Sequence, residues 1–409
     1  MRDRLYKEEI YHIIESDGIM GTEEKLLILG KAAQYDLCGS YLCQGQEAHR
    51  VRGDYGQWIY PAVLPDGKEI KLFKVLLSNN CKNNCLYCAN REERSFPRIS
   101  FTPQELAQVF VMLKEKRLVE GLFLSSAVSN EPKKTMEDMI KAVEILRYRY
   151  HFNGYIHLKI LPGVTPDYIE QAMRLADRVS VNLEVPNGEK MKKLSMEKNF
   201  EKDLLGAMRW IKYFINKGIK PRAGYTTQFM VGPAGETDRE LILLVGRLYR
   251  ELNLKRAYFS AFQPVKDTPL EDYPPTPIVR ENRLYQADFL LRDYGFSPEE
   301  LIFNKEGNLY LPADPKLVWA MNHPEFFPVE VNTATKEQLI RVPGIGPRSA
   351  ERIIALRRKE KIKELVTLKG IGIVIKRAKD YILLNGKRIN KEKNAQLPLW
   401  DSNSFLETA

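Results

Sequence analysis

Three cysteines stand in the run Cys81-Lys-Asn-Asn-Cys85-Leu-Tyr-Cys88, directly after the apolar stretch Ile70 to Leu77. Three thiols at this spacing are one ligand short of a closed metal site. Structural zinc and ordinary electron-transfer clusters are held by four protein ligands, so a local trio points to a cubane iron-sulfur cluster with one iron left open. An open iron can bind a small molecule and reduce it. The alternative is a zinc site that recruits His49, Cys38 or Cys43 as its fourth ligand. Cys38 and Cys43 are otherwise assigned no role. Five cysteines in 409 residues are too few and too clustered for a disulfide framework, and a reducing compartment keeps thiolates available for metal.

A second set of residues carries a different chemistry. The phrases Val342-Pro-Gly344-Ile-Gly346-Pro-Arg348-Ser349-Ala350 and Leu368-Lys-Gly370-Ile-Gly372-Ile-Val-Ile-Lys376 repeat an apolar-Gly-Ile-Gly turn between helical patterns. Glycines let the turn backbone approach a phosphate, and the amides opening the next helix supply an anion site. From Val329 to Lys393 there are 17 Lys and Arg against 7 Asp and Glu, which accounts for the whole formal charge of +10. A local positive field of this kind attracts polyanions. The paired phrases resemble the helix-hairpin-helix family in tandem, with Asn332-Thr333-Ala334 opening the first helix. The resemblance implies sequence-nonspecific contacts to the DNA backbone from Gly344, Gly346, Arg348, Ser349, Gly370, Gly372, Lys376 and Arg377. The alternative for such hairpins is protein contact or packing.

The elements that must position the cysteines follow a βα rhythm. Strands are expected at Ile70 to Leu77, Gly121 to Ser125, Tyr155 to Ile160, Arg178 to Glu184, Pro221 to Phe229 and Arg256 to Phe262. Helices are expected between them at Pro103 to Lys116, Thr135 to Arg149, Pro166 to Ala176, Phe200 to Asn216 and Thr237 to Leu252. Thr102 and Thr165 precede prolines and suit N-cap positions. Such a series predicts an α/β fold with a parallel sheet whose chemistry gathers at the carboxyl ends of the strands, where the cysteine loop lies. Periodicity alone leaves barrel and doubly wound sheet open. Helical stretches are expected before this series, around Leu5 to Glu15 and Thr22 to Gln34. After it come a helix near Val279 to Tyr294 and a Pro- and aromatic-rich wrap from Leu311 to Pro328. No secretory signal or apolar span of membrane length is found, so the expected location is the cytoplasm, with no membrane partner.

At the trio the chain resembles the radical S-adenosylmethionine (SAM) superfamily, whose hallmark is CxxxCxxC with an aromatic residue before the last cysteine. Cys81, Cys85, Tyr87 and Cys88 match. The resemblance implies a [4Fe-4S] cluster whose open iron chelates SAM, an external electron donor, and cleavage of SAM to a 5′-deoxyadenosyl radical that abstracts hydrogen from substrate. It implies a partial (βα)6 TIM-like barrel. SAM would then be met by Tyr87, by Ser125, Ser126 and Ala127 where the family often has Gly-Gly-Glu, by Glu184 at the ribose position, and by Gln228 and Val231 beside the adenosine.

The whole chain resembles the DNA modification/repair radical SAM proteins through Ala33-Gln34-Tyr35-Asp36, Gly235-Glu236-Thr237-Asp238-Arg239-Glu240 and Ala313-Asp314-Pro315-Lys316. The resulting organisation is a helical N-terminal region (1–66), the barrel (67–270), a connector (271–328), a small all-α helix-hairpin-helix domain (329–388) and a polar tail (389–409). In the tail, Gln396, Leu397, Leu399 and Trp400 resemble the peptide by which bacterial repair proteins dock on the sliding clamp. The implied function is DNA modification or repair. Modification of transfer RNA and a noncatalytic iron-sulfur DNA-repair adaptor are the alternatives.

Overall fold

The computed structural model describes residues 21–33, 59–63, 69–128 and 132–389. Two compact units divide the chain, one holding residues up to 236 together with 247–277 and the other holding 237–246 together with 278 onward.

The first unit opens with helix α1 (Thr22–Ala32) and a seven-stranded sheet. Its strands are β1 (Ile59–Val63), β2 (Glu69–Leu76), β3 (Gly121–Ser125), β4 (Tyr155–Lys159), β5 (Arg178–Ser180), β6 (Tyr225–Val231) and β7 (Arg256–Ala261). Strand order in space equals order in sequence. A doubly wound sheet reverses direction at a switch point, and this one never does, so the six parallel strands β2 to β7 wind one way as a partial barrel. The helices between them are α2 (Pro103–Glu115), α3 (Pro132–Glu144), α4 (Pro166–Leu175), α5 (Gly188–Lys192), α6 (Gly206–Asn216) and α7 (Asp238–Leu252). The expected elements are therefore present, with differences at their ends. No strand is expected before Ile70, yet β1 pairs antiparallel with β2 from Ile59↔Phe73 to Val63↔Glu69. This pairing covers the edge that β2 would otherwise expose.

Local chemistry sets the helix starts. Thr102 caps α2 with a capping box: its hydroxyl accepts from Glu105 N at 3.2 Å, and the Glu105 carboxylate accepts from Thr102 N at 2.7 Å. Thr165 also stands at an N-cap, but its side chain makes no capping bond, leaving Pro166 to set the entry into α4. Strand alternation sorts the two faces of the sheet. Leu122, Leu124, Ile156, Leu158, Val179, Phe229 and Phe259 are fully buried on the helix-facing side. Each such side chain contributes about 1.5–3 kcal/mol on leaving water.

The second unit is more than a pair of hairpins on a linker. Its helices are α8 (Ile278–Asp293), α9 (Pro315–Asn322), α10 (Lys336–Arg341), α11 (Pro347–Arg357), α12 (Leu365–Gly370) and α13 (Ile375–Ala378). The run expected to wrap as a linker instead contains α9, with Asp314 as N-cap accepting from Leu317 N. Its aromatic residues form a packed cluster: Trp319 meets Phe296 edge-on, stacks on His323, and lies under the Arg341 guanidinium. Apolar side chains at this density drive packing, which is why the run is structured. Three short strands, β8 (Val329–Glu330), β9 (Ile382–Leu384) and β10 (Lys387–Arg388), form a small sheet beside the hairpin helices. The first hairpin helix is capped by Thr335 through a box with Gln338 rather than opened by Asn332 to Ala334. Asn332 instead clasps both backbone groups of Ile362 at 2.9 Å.

Candidate active site

β2 ends at Leu76, and the chain turns at once into the cysteine loop at the carboxyl end of the parallel strands. The loop forms neither helix nor strand, so side chains must hold it. Arg98 does most of this work, donating from one terminal nitrogen to the carbonyls of Asn79 and Asn90 and from the other to those of Arg91, Glu92 and Arg94. One planar guanidinium thus gathers five carbonyls and fixes the loop's curvature. Asn79, wholly buried, accepts from Ile99 N at 2.8 Å and donates to Pro97 O at 3.0 Å. Lys82 N and Leu86 N donate to the carbonyls of Val128 and Leu194, both at 2.8 Å, tying the loop to segments beyond β3 and α5. None of these residues stood out in the sequence, because bonds to backbone carbonyls leave no spacing pattern.

Cys81 and Cys85 are buried and Cys88 is half-buried. Backbone amides of Asn83 and Asn90 donate to the sulfurs of Cys81 and Cys88 at 3.4 Å, and the Cys85 thiol lies 3.3 Å from the Ser195 hydroxyl. Amide donors aimed at sulfur favour the thiolate that binds metal. Among the described residues no three His, Cys, Asp or Glu side chains converge as they would around a single ion. A cubane takes each thiolate on a different iron, so three cysteines spread along one loop fit it. The zinc alternative needs His49, Cys38 or Cys43, which lie outside the described residues.

Burial pushes the Cys88 thiol up to about 12, and the charge of Cys85 adds to that. A raised thiol pKa means a protonated sulfur at neutral pH, so metal loading must displace its proton. Loading is therefore expected to release protons and to strengthen as pH rises from 7 to 9, measurable by pH-stat titration during anaerobic reconstitution.

Tyr87, half-buried, stands beside Lys198, a residue outside the cysteine spacing pattern. The Lys198 ammonium lies 3.5 Å from the Tyr87 hydroxyl and 3.9 Å from a Glu184 carboxylate oxygen. Burial opposes its charge, but Cys85, Tyr87 and Glu184 outweigh burial and hold it well above the ordinary lysine range. Burial, reinforced by Glu184, likewise pushes the Tyr87 phenol well above its usual value and keeps it neutral. A permanent cation beside the cysteines stabilises an added electron. Lys198→Met is expected to move the midpoint potential of the reconstituted cluster to more negative values, read by EPR-monitored redox titration.

Of the remaining positions expected to meet SAM, Ser125, Ser126, Ala127 and Glu184 lie at or just past the carboxyl ends of β3 and β5, whereas Gln228 and Val231 belong to β6 itself. Ser125 closes β3, where its carbonyl accepts from Leu77 N, and Ala127 N donates to Ser78 O, both at 2.8 Å. Ser126 turns its hydroxyl onto the Ala127 carbonyl at 2.7 Å. Glu184 lies past β5 in the left-handed region (φ 65), with its amide on Gln228 O and its carbonyl receiving Met230 N. A non-glycine residue held there is a conformational cost, which the pairing with β6 sustains. Gln228 is buried within β6. Val231 is fully buried on the helix-facing parity, and its carbonyl accepts from the Thr276 hydroxyl at 2.7 Å. The next residue, Gly232 (φ 112), leaves no room for a side chain, since a Cβ there would lie 1.9 Å from the Thr276 hydroxyl oxygen.

In the second unit the hairpins face each other. Gly344 (φ 86) has Val374 O where a Cβ would stand, at 2.6 Å, and Val374 N donates to Gly344 O at 3.1 Å. Reciprocally, Gly372 (φ 91) abuts α11, with the Ser349 hydroxyl donating to Gly372 O at 3.1 Å. Arg377 pairs with Asp314 at the start of α9, and the buried Lys316 ammonium donates to Ile345 O at 2.6 Å. Gly346 packs near the Tyr294 hydroxyl, while Gly370 has open space where a side chain would go. Gly344, Gly372 and Ser349 thus join the two hairpins. Arg348, Gly370 and Lys376 are exposed and available to a ligand.

The radical SAM superfamily pattern matches residues 75–248, and the helix-hairpin-helix motif matches residues 326–377. None of the curated proteins compared with the chain matches it. Among solved structures, the chain is similar to HydG, a maturase of the [FeFe]-hydrogenase, at 14% identity over 54% of this chain and 49% of that one, with TM-score 0.44. Methylornithine synthase (PylB) shares 18% over 54% and 61%, with TM-score 0.42. The radical SAM methyltransferase TsrM from Kitasatospora setae shares 13% over 52% and 39%, with TM-score 0.38. The chain covers about half the length of HydG. The matched stretch spans the three-cysteine loop and β3 to β6 of the partial barrel, and the superfamily it matches uses a [4Fe-4S] cluster and SAM. This chain carries such a radical SAM domain, followed by a helix-hairpin-helix motif. Among the described residues no helix is long and apolar enough to cross a membrane.

Proposed function

We propose that this protein is a radical SAM enzyme that modifies or repairs DNA. The observation that carries the reading is the joining, in one chain, of a cysteine-trio barrel to a tandem hairpin module that holds the entire net positive charge. Cys81, Cys85 and Cys88 hold the cluster, Arg98 shapes their loop, and Glu184 and Gln228 line the mouth where SAM would sit. When bound, the cluster and SAM supply a 5′-deoxyadenosyl radical for hydrogen abstraction. Arg348, Lys376 and the open backbone at Gly370 grip phosphates without reading bases, which makes binding salt-sensitive.

A base stacked in a duplex cannot reach a barrel mouth, so the target nucleotide must be flipped out or single-stranded. The deciding experiment is anaerobic incubation with SAM and DNA deuterated at defined positions. Deuterium should appear in 5′-deoxyadenosine. Label that transfers only from transfer RNA in a competition would move the substrate to RNA, and DNA binding without any 5′-deoxyadenosine would leave a noncatalytic adaptor.

A further inference from the structure

The two hairpins share a sequence phrase but not an environment. Each residue of the first Gly-Ile-Gly turn meets protein. Gly344 has Val374 O where a Cβ would stand, Ile345 is buried with its carbonyl on the Lys316 ammonium, and the Cβ position at Gly346 lies 3.3 Å from the Tyr294 hydroxyl. The same ammonium stands 4.6 Å from the centre of the Tyr294 ring, so Tyr294, just past α8, and Lys316 of α9 together cap this turn. The cations beside it are already paired, Arg377 with Asp314 and Arg341 with Glu300 at 2.7 Å.

The second turn is open. Lys369, Gly370 and Gly372 are exposed, and nothing lies within 4 Å of the Cβ position at Gly370. Arg352 reaches its tip, donating to Ile371 O at 3.1 Å, and Arg348 stands one helical turn earlier on the same face of α11. Lys369 and Lys376 complete a set of four exposed cations, none of which forms a salt bridge among the described residues. Two valines flank the same turn. Val366, 76% exposed, shares a face of α12 with Lys369 and Gly370, and Val374, 52% exposed, follows Gly372 directly after Ile373.

We propose that the module grips single-stranded DNA along one phosphate backbone, through the second hairpin alone, and that the first hairpin is an internal joint. The proposal rests on the reading of the module as a DNA-binding one. Two open hairpins could hold the two backbones of a duplex, whereas one open hairpin holds one. A single strand meets the four cations as fully as a duplex does, and it adds base faces for Val366 and Val374 that a duplex keeps stacked inside. It also presents its bases unpaired, as entry to a barrel mouth requires.

The test is fluorescence anisotropy of the full-length protein with a labelled oligothymidylate and with a labelled duplex of equal length, over a range of salt concentrations. The single strand is expected to bind about fivefold tighter. Its plot of log affinity against log salt should have a slope of about −3, as four phosphate contacts require. Lys369→Gln and Lys376→Gln should each weaken binding about fivefold and make that slope shallower by about 0.7. Val366→Ser should remove the preference for the single strand. Gly370→Ala should weaken binding, while Gly346→Ala should leave it unchanged, because Tyr294 and not phosphate meets that position. Tighter binding of the duplex by the parent protein would overturn the proposal, as would equal losses from Gly346→Ala and Gly370→Ala in variants that melt like the parent. Failure of the modification reading looks different: the single strand would still bind through Lys369 and Lys376 while deuterated DNA yields no labelled 5′-deoxyadenosine. Absence of binding to either DNA would overturn this proposal and the DNA reading together.

Discussion

Cys81→Ala, Cys85→Ala and Cys88→Ala are each expected to abolish both the iron-sulfur absorbance of the reconstituted protein and its formation of 5′-deoxyadenosine from SAM. The effect should be all or none because a cubane with one iron open has no spare ligand among the described residues, and loss of any one thiolate frees a second iron. Folding should survive. Arg98 draws the loop together through backbone carbonyls, and those bonds do not involve the thiols. Far-ultraviolet circular dichroism should therefore match the parent while absorbance near the cluster band is lost. Retention of SAM cleavage by Cys81→Ala would refute the assignment, and stoichiometric zinc without iron in the parent would support a closed metal knot instead.

Gly344→Ala is expected to cost about 2–4 kcal/mol in the second unit, combining left-handed strain with overpacking against backbone. At φ 86 a side chain is strained whatever the space, and here the space is filled by Val374 O at 2.6 Å. A carbonyl held by a helix start cannot swing aside as a long side chain would. Hydrogen exchange at Val374 N, which donates to Gly344 O, should accelerate, and DNA affinity should fall with it. Gly370→Ala provides the contrast. Nothing lies within 4 Å of that Cβ and the residue ends a helix, so stability should hold while any close phosphate contact is lost. Normal exchange at Val374 in Gly344→Ala would show that the two hairpins do not depend on this seam.

Much of the catalytic domain is legible in one dimension. The cysteine spacing, the N-cap at Thr102 and the apolar runs that become β3 and β4 are local patterns, and the fold contains them. The helix ends differ by a few residues where π-turns at Ile145–Arg149 and Phe200–Leu205 interrupt otherwise continuous apolar periodicity. The aromatic run before Pro328 misled because proline and aromatic residues read as punctuation, whereas here Trp319 and its neighbours are core. Arg98 and Lys198 escaped notice for a related reason. Each acts on groups far from it along the chain or on backbone atoms common to every residue.

By itself the sequence determined which chemistry is present: three thiols one ligand short of closure, a βα series to present them, and a basic hairpin pair near the other end. Spacing within a loop or a helix turn is a property of neighbouring residues, so it can be read without a fold. Only the tertiary structure decided how distant residues combine. The uniform strand order selects a partial barrel over a doubly wound sheet. Strand register brings Lys74, Phe123, His157 and Arg178 into one row, although these residues are spread over four strands and are unremarkable where each stands. The packing of Gly344 on Val374 and of Ser349 on Gly372 turns residues that resemble ligand contacts into the seam between two hairpins. A shift of one residue in register would reverse every side chain on a strand, and such a choice is made by the whole core rather than by any local run.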